Sequence, residues 1–291
     1  MKLSYTIKAD DNYKNLRDVL SNYFFISSRL LRILKTTNSI KLNNNIVYLD
    51  YPIKVGDIIE VNLDFVEDNS NIVPTKMNLN IVYEDEAIIV INKPSNLAIH
   101  PTTYHFTDTL SNGLKSYFDA NNVHKKLRPV NRLDRNTSGL VIFAKNQYVQ
   151  EFLIQQMLKN TFEKKYLALL CGQLENKSGS INASIARKPN SIIERCIDES
   201  GEKAITHYQV IKAFEKYSLV EFKLETGRTH QIRVHSKFIG HPILGDSLYG
   251  TESELINRQA LHSYYLKFIH PLTRKPIEFK INLPEDMKRL V

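Results

Sequence analysis

Apolar side chains first recur at Leu16, Val19, Leu20 and Tyr23, the i, i+3, i+4, i+7 spacing that marks one buried face of a short helix. Ser27 and Ser28 are cap residues for a second helix, whose core side is Leu30, Leu31, Ile33 and Leu34. Residues 40–42 and 46–48 read as short strands about the Asn43-Asn44-Asn45 turn, and Gly56-Asp57 opens a last strand over 58–63. Then the periodicity stops. Residues 67–77 are mostly polar, include Pro74 and show no repeat, which predicts a linker. The expected division is therefore a small unit over 1–66 (core about 14–63), the linker, and a large unit over 78–291.

In the large unit, strand-length apolar runs fall at 80–83, 87–91, 140–144, 165–170, 204–213, 217–224 and 277–281. Helical spacing appears over 108–117, where Leu110, Leu114 and Phe118 align, and over 147–158 and 229–239. Strands as close as 204–213 and 217–224 must pair antiparallel. The fold class is α+β with a mainly antiparallel sheet, not a doubly wound nucleotide fold.

Composition adds little beyond direction. Lys plus Arg is 39 against 31 for Asp plus Glu, and the net +8 favours a polyanionic partner. The two cysteines, Cys171 and Cys196, form no Cys-x-x-Cys pair, which argues against a disulfide framework or zinc-thiolate site and fits a reducing compartment. The segment Met1-Lys2-Leu3-Ser4-Tyr5 lacks a signal-peptide core, and Ile88-Ile89-Val90-Ile91 is strand-sized rather than membrane-spanning. The expectation is a cytoplasmic, monomeric protein without membrane contact.

Three segments carry candidate chemistry. Asn131-Arg132-Leu133-Asp134-Arg135-Asn136-Thr137-Ser138-Gly139-Leu140 sets a carboxylate in an arginine-flanked turn running into an apolar strand. Its plainer reading is a turn capped by the aspartate. Glu163-Lys164-Lys165-Tyr166 puts a tyrosine at the head of an apolar strand, ordinarily an aromatic with its hydroxyl in water. Glu225-Thr226-Gly227-Arg228-Thr229-His230-Gln231-Ile232-Arg233-Val234-His235 crowds donors and cations at a helix start, which Thr229 could simply cap. His230 and His235 lack a third partner for a metal, and Ser138-Gly139 is not a hydrolase elbow.

Together these segments resemble the RluA family of pseudouridine synthases, with Ile91-Asn92-Lys93-Pro94-Ser95, His100-Pro101, His241-Pro242-Ile243-Leu244-Gly245-Asp246 and Leu261-His262-Ser263 following in family order. The first fifth of the chain is similar to an S4 RNA-binding domain through Asn15-Leu16-Arg17-Asp18, Ser28-Arg29-Leu30-Leu31, Lys41-Leu42-Asn43-Asn44 and Val55-Gly56-Asp57-Ile58-Ile59. Asn stands at or near two of that pattern's glycines, Asn38 and Asn44, and tolerates left-handed turns.

The resemblance implies a pseudouridine synthase-like catalytic domain behind a small α/β S4-like domain, acting on RNA. Ribosomal RNA comes first and transfer RNA second. It assigns catalysis to Asp134, as nucleophile at C1′ or base at C2′, with Arg233 as its cation and Tyr166 against the uracil. Substrate binding falls to Arg132, which fills the vacated stack, and to Asn131, Thr137, Arg228, His230, Gln231 and Ile232. Asn131 stands where the family has histidine. Arg17, Arg29, Arg32 and Lys35 would hold phosphates. No cofactor or metal is implied, since the isomerisation is redox-neutral. The competing reading is a catalytically silent RNA-binding or ribosome-assembly protein.

Overall fold

The computed structural model describes residues 1–64, 67 and 69–291. Phe65, Val66 and Asp68, at the expected seam between units, lie outside the described residues. The N-terminal region holds β1 (Lys2–Thr6), α1 (Leu16–Asp18), α2 (Ser28–Thr36), β2 (Ile40–Leu42) and β3 (Ile58–Asn62). Its sheet runs β1-β3-β2, all antiparallel.

Here the sequence reading needs correction in three places. β1, not anticipated, pairs with β3 along its whole length. Ile46 and Tyr48 are exposed and form no strand, because the chain leaves the sheet after the Leu42–Asn45 bridge. The first helix passes from α1 into a π turn over Val19–Tyr23, closed by the Phe24 N–H on the Val19 carbonyl at 3.1 Å. The wider turn rotates the buried face by one residue, so Phe24 is buried and Tyr23 is exposed. Ser27 caps α2 as expected, accepting from the Leu30 N–H at 3.2 Å. Asn38, Asn43 and Asn44 all take positive φ, 51°, 49° and 65°.

The larger region comprises β4 (Ile81–Glu84), β5 (Ile88–Lys93), α3 (Leu110–Ala120), β6 (Arg128–Pro129), β7 (Ser138–Ala144), α4 (Gln147–Leu158) and β8 (Glu163–Cys171). There follow β9 (Ser178–Asn182), β10 (Ile185–Arg187), β11 (Arg195–Ile197), β12 (Ile205–Ala213), β13 (Tyr217–Leu224), α5 (Gln231–Phe238), β14 (Leu261–Ile269), β15 (Pro276–Lys280) and α6 (Glu285–Lys288). The main sheet is ordered β4-β5-β7-β14-β8-β13-β12-β9, with β6 on β7 and β15 on β14. Among the strand pairings of the described residues, only the short β7–β14 one is parallel. The class is α+β with a mixed, mainly antiparallel sheet.

The continuous apolar runs in β5 and β7 are explained by burial on both faces. Ile89, Ile91, Val141 and Phe143 meet α3 through Leu110, Leu114 and Phe118. Ile88, Val90, Leu140 and Ile142 point the other way, into a cluster that includes Tyr148, Val149 and Leu153 of α4. The N-terminal residues Leu16, Leu20, Leu30 and Leu34 belong to that same cluster. Phe25 stands 6.5 Å from Phe152 of α4, and the Arg274 guanidinium lies 4.3 Å over the Phe152 ring. The expected linker does not hang free where it is described: Glu67 pairs with Arg128, and Ile72 is buried beside α3.

Candidate active site

The Asp134 turn is built by its surroundings. The Thr137 N–H closes it on the Asp134 carbonyl at 3.0 Å. Gly139 (φ 119°) then passes so close to Ser263 that a Cβ would run into the Ser263 backbone, which makes glycine a condition of the parallel β7–β14 contact. Two buried cations clamp the turn from behind. Lys93 Nζ donates to the carbonyls of Pro94 (2.9 Å), Leu97 (2.8 Å) and Arg135 (3.0 Å). Arg258 Nη1 donates to the carbonyl of Asn136 at 3.2 Å, while its Nε and Nη2 hold Asp286. Burial pulls Lys93 down to about 7, with Asp134 pushing it back up. The Ser138 hydroxyl pairs with His262 Nδ1 at 2.9 Å, tying the start of β7 to β14.

The carboxylate of Asp134 is 25% exposed and meets Arg233, with Nη1 3.1 Å from Oδ2. Arg233 sits on α5, which starts in an unexpected way. Thr229 does not cap it. His230 occupies the cap position in the left-handed region (φ 59°, ψ 17°) and offers no side-chain bond to the helix. Its ring is instead drawn to the Tyr249 hydroxyl, 2.8 Å from Nδ1. Gln231 Oε1 holds the preceding turn by accepting from the Arg228 N–H (2.9 Å) and the Thr226 hydroxyl (2.8 Å).

Arg233 is fixed mainly by Asp246, through Nε–Oδ2 at 2.7 Å and Nη2–Oδ1 at 2.8 Å. Its guanidinium also lies 4.9 Å over the Tyr249 ring. Burial works against the Arg233 cation, but Asp246 and Asp134 outweigh it and raise its pKa. Burial, reinforced by Arg233 and Arg195, lowers His230 against the pull of Asp134. The Tyr166 phenol, buried beside this group, is pushed up to about 12 by loss of solvent.

A recess of about 60 Å³ opens over these side chains. Asp134, Tyr166 and Arg233 all line it, as do Arg132, Thr137, Arg228, His230, Gln231 and Ile232 from the sequence reading. Asn131 is the exception. It is buried, its amide donates to the Leu140 carbonyl (3.0 Å) and accepts from the Ile142 N–H (2.9 Å), so it straps the turn to β7 and does not line the recess. Arg17, Arg29, Arg32 and Lys35 are distant in the chain and exposed; Arg17 pairs with Asp50 at 3.0 Å.

The sequence reading gave no role to Asp246, Tyr249, Lys93 or Arg258. Asp246 follows Gly245, which takes a positive φ (74°), so the glycine itself marked a turn; Tyr249 carried no local signal. Among the described residues no group of His, Cys, Asp and Glu is arranged to hold a metal. No helix of the described residues is long and apolar enough to cross a membrane. What the recess offers chemically is one carboxylate paired with a fixed cation, a phenol whose pKa is pushed up, and an apolar wall.

Residues 87–237 match the family model for RNA pseudouridylate synthase. The chain is 38% identical over 267 residues to the uncharacterized RNA pseudouridine synthase YjbO of Bacillus subtilis, covering 91% of this chain and 94% of that protein. It is 36% identical over 250 residues to ribosomal large subunit pseudouridine synthase D of Pasteurella multocida, covering 81% and 76%. Among solved structures it is similar to human RNA pseudouridylate synthase domain containing 1, with a TM-score of 0.59 and 29% identity over 70% of this chain and 83% of that one. By sequence across nearly its whole length and by fold, the chain belongs to the RNA pseudouridine synthases, isomerases that act on RNA.

Proposed function

We propose that this protein converts uridines of ribosomal RNA to pseudouridine, with Asp134 as the catalytic carboxylate. The observation that carries this is the Asp134–Arg233 pair at 3.1 Å, opening on a recess that Tyr166 also lines. The relative that names a ribosomal large subunit supports the choice of RNA.

In the reaction the N1–C1′ bond breaks, the uracil turns, and a C5–C1′ bond forms. The proton on C5 leaves and N1 gains one, so atoms and electrons balance without a cofactor. Asp134 acts on the sugar, at C1′ or C2′, with the Arg233 guanidinium paired to its carboxylate at 3.1 Å. Tyr166 stacks on the uracil near C5. Flipping the nucleotide out of its stack costs on the order of a few kcal/mol, and exposed Arg132 fills the gap. Thr137, Arg228, His230, Gln231 and Ile232 shape the pocket.

Residues 1–66 serve as an S4-like RNA-binding domain, 67–77 as the connection and 78–291 as the catalytic domain. Arg29, Arg32 and Lys35 stand exposed on α2 opposite buried Leu30, Leu31 and Leu34, an arrangement suited to phosphates.

The test is pseudouridine mapping of total RNA from cells carrying the wild-type protein or Asp134→Asn. Marks present with the wild type and lost with the variant are expected in ribosomal RNA. An unchanged map with stably expressed variant overturns the reading in favour of RNA binding without catalysis.

A further inference from the structure

A second recess, larger than the first at about 330 Å³, lies between the β10–β11 hairpin and α5. That volume falls in the range of small-molecule pockets, roughly 300–1,000 Å³. Its inner walls are apolar: Ile197, buried Val234, the Tyr249 ring and exposed Phe238. Its rim is cationic, with Lys188, Arg195 and Lys237 against the single acid Glu194, which is already paired with Lys188. Arg195 and Lys237 have no carboxylate partner among the described residues. The Lys237 ammonium lies 6.0 Å over the Tyr249 ring.

One residue separates this recess from the Asp134 site. Tyr249 walls the larger recess, its hydroxyl reaches His230 Nδ1 at 2.8 Å, and its ring packs against the Arg233 guanidinium at 4.9 Å. The Arg195 N–H also donates to that hydroxyl at 2.8 Å, so the hairpin, the aromatic wall and the start of α5 are held as one piece. A recess with apolar and aromatic walls and lysine and arginine among its lining, one side chain from the proposed seat of a flipped uridine, suits a nucleotide: aromatic surface for the base and positive charge for its phosphate.

We propose that this recess binds the base of a nucleotide flanking the target uridine and thereby contributes to choice of site. The proposal rests on the isomerase reading above. The occupant is RNA rather than a free metabolite because the slot adjoins the Asp134 site through Tyr249 and its cations Arg195 and Lys237 have no carboxylate partner among the described residues. The base stacks on Tyr249 and Phe238, and Lys237 and Arg195 neutralise the adjoining phosphate.

The test uses synthetic RNA spanning the uridine found by mapping, with each of three nucleotides on either side made abasic in turn. The wild-type protein should show one position at which base removal raises KM roughly ten-fold while kcat stays within about two-fold. Cys196→Trp fills the recess from its hairpin wall and should raise KM on intact RNA by a similar factor while erasing the sensitivity at that position. Lys237→Ala/Phe238→Ala, two exposed changes that leave the core intact, should do the same to a lesser degree. Wild-type protein indifferent to every abasic neighbour, or folded variants that keep the full sensitivity, would overturn the proposal. Wild-type protein that makes no pseudouridine in any RNA removes the isomerase reading itself, and this inference with it.

Discussion

Asp246 holds Arg233 by two parallel bonds of 2.7 and 2.8 Å, which leaves Nη1 as the nitrogen that faces Asp134. The fork–fork geometry fixes the plane of the guanidinium, so the cation is in place before any substrate arrives. Asp246→Asn should therefore lower kcat roughly ten- to a hundred-fold with little change in KM, since the lost charge-assisted bonds contribute about 1.5–3 kcal/mol. Steady-state kinetics on a modified RNA fragment check this. A variant whose loss lies wholly in KM would show that Asp246 positions nothing in the reacting site.

Removing the other partner has a different signature. Asp246 is fully buried, and Arg233→Ala leaves it without its cation. Breaking such a pair costs about 3–5 kcal/mol. Urea denaturation should show that loss for Arg233→Ala, but less than about 1 kcal/mol for Asp134→Asn, whose carboxylate is partly in water. Equal destabilisation by both changes would contradict the hierarchy of contacts.

Lys93 is wholly buried and satisfies three carbonyls. Lys93→Met keeps the packing and deletes the donors, so it should destabilise on the order of 3 kcal/mol and loosen the Asp134 turn. A Lys93→Met protein with unchanged thermal unfolding and full kcat would refute the clamp.

His262 gives a pH dependence with a definite sign. Burial brings it from 6.5 down to about 4 in the folded protein. Between those values the unfolded chain binds the proton and the folded chain does not, so stability rises with pH. The contribution is complete above pH 6.5 and is lost as pH falls toward 4, by on the order of 3 kcal/mol. Denaturation midpoints for wild type and His262→Gln should converge or cross on acidification; parallel curves would exclude this titration.

The exposed α2 cations should act on binding alone. Arg29→Ala/Arg32→Ala/Lys35→Ala is expected to reduce the salt slope of RNA affinity by about 0.7 per lost phosphate contact, with kcat at saturation unchanged. An unaltered slope would mean this face does not meet RNA. Truncation is a poorer probe, because removing residues 1–66 uncovers the cluster that Leu16, Leu20, Leu30 and Leu34 share with Ile88, Val90 and Leu153.

Periodicity was enough for the elements whose burial repeats locally. The continuous apolar runs of β5 and β7 and the helical stripe Leu110, Leu114, Phe118 could be read directly, because each residue's environment depends on neighbours one turn or one pleat away. Motif order brought Asp134, Tyr166 and Arg233 forward together as candidates, and all three line one recess.

Features set by distant partners escaped. The π turn that exchanges Tyr23 for Phe24 depends on where the helix meets β1, and β1 itself is defined by a partner more than fifty residues away. Asn131 read as a substrate contact along with its neighbours; only the pairing of β7 shows its amide bonded to the Leu140 carbonyl and the Ile142 N–H.

Sequence alone thus determined the α+β class and the family and brought forward the candidate reactive groups, since those follow from local pattern and residue type. Tertiary structure decided which groups hold which. Arg233 answers first to Asp246, Lys93 and Arg258 grip the carbonyls behind Asp134, and Tyr249 joins two recesses. Such partnerships form between residues distant in the chain, whose geometry exists only once the sheet has closed.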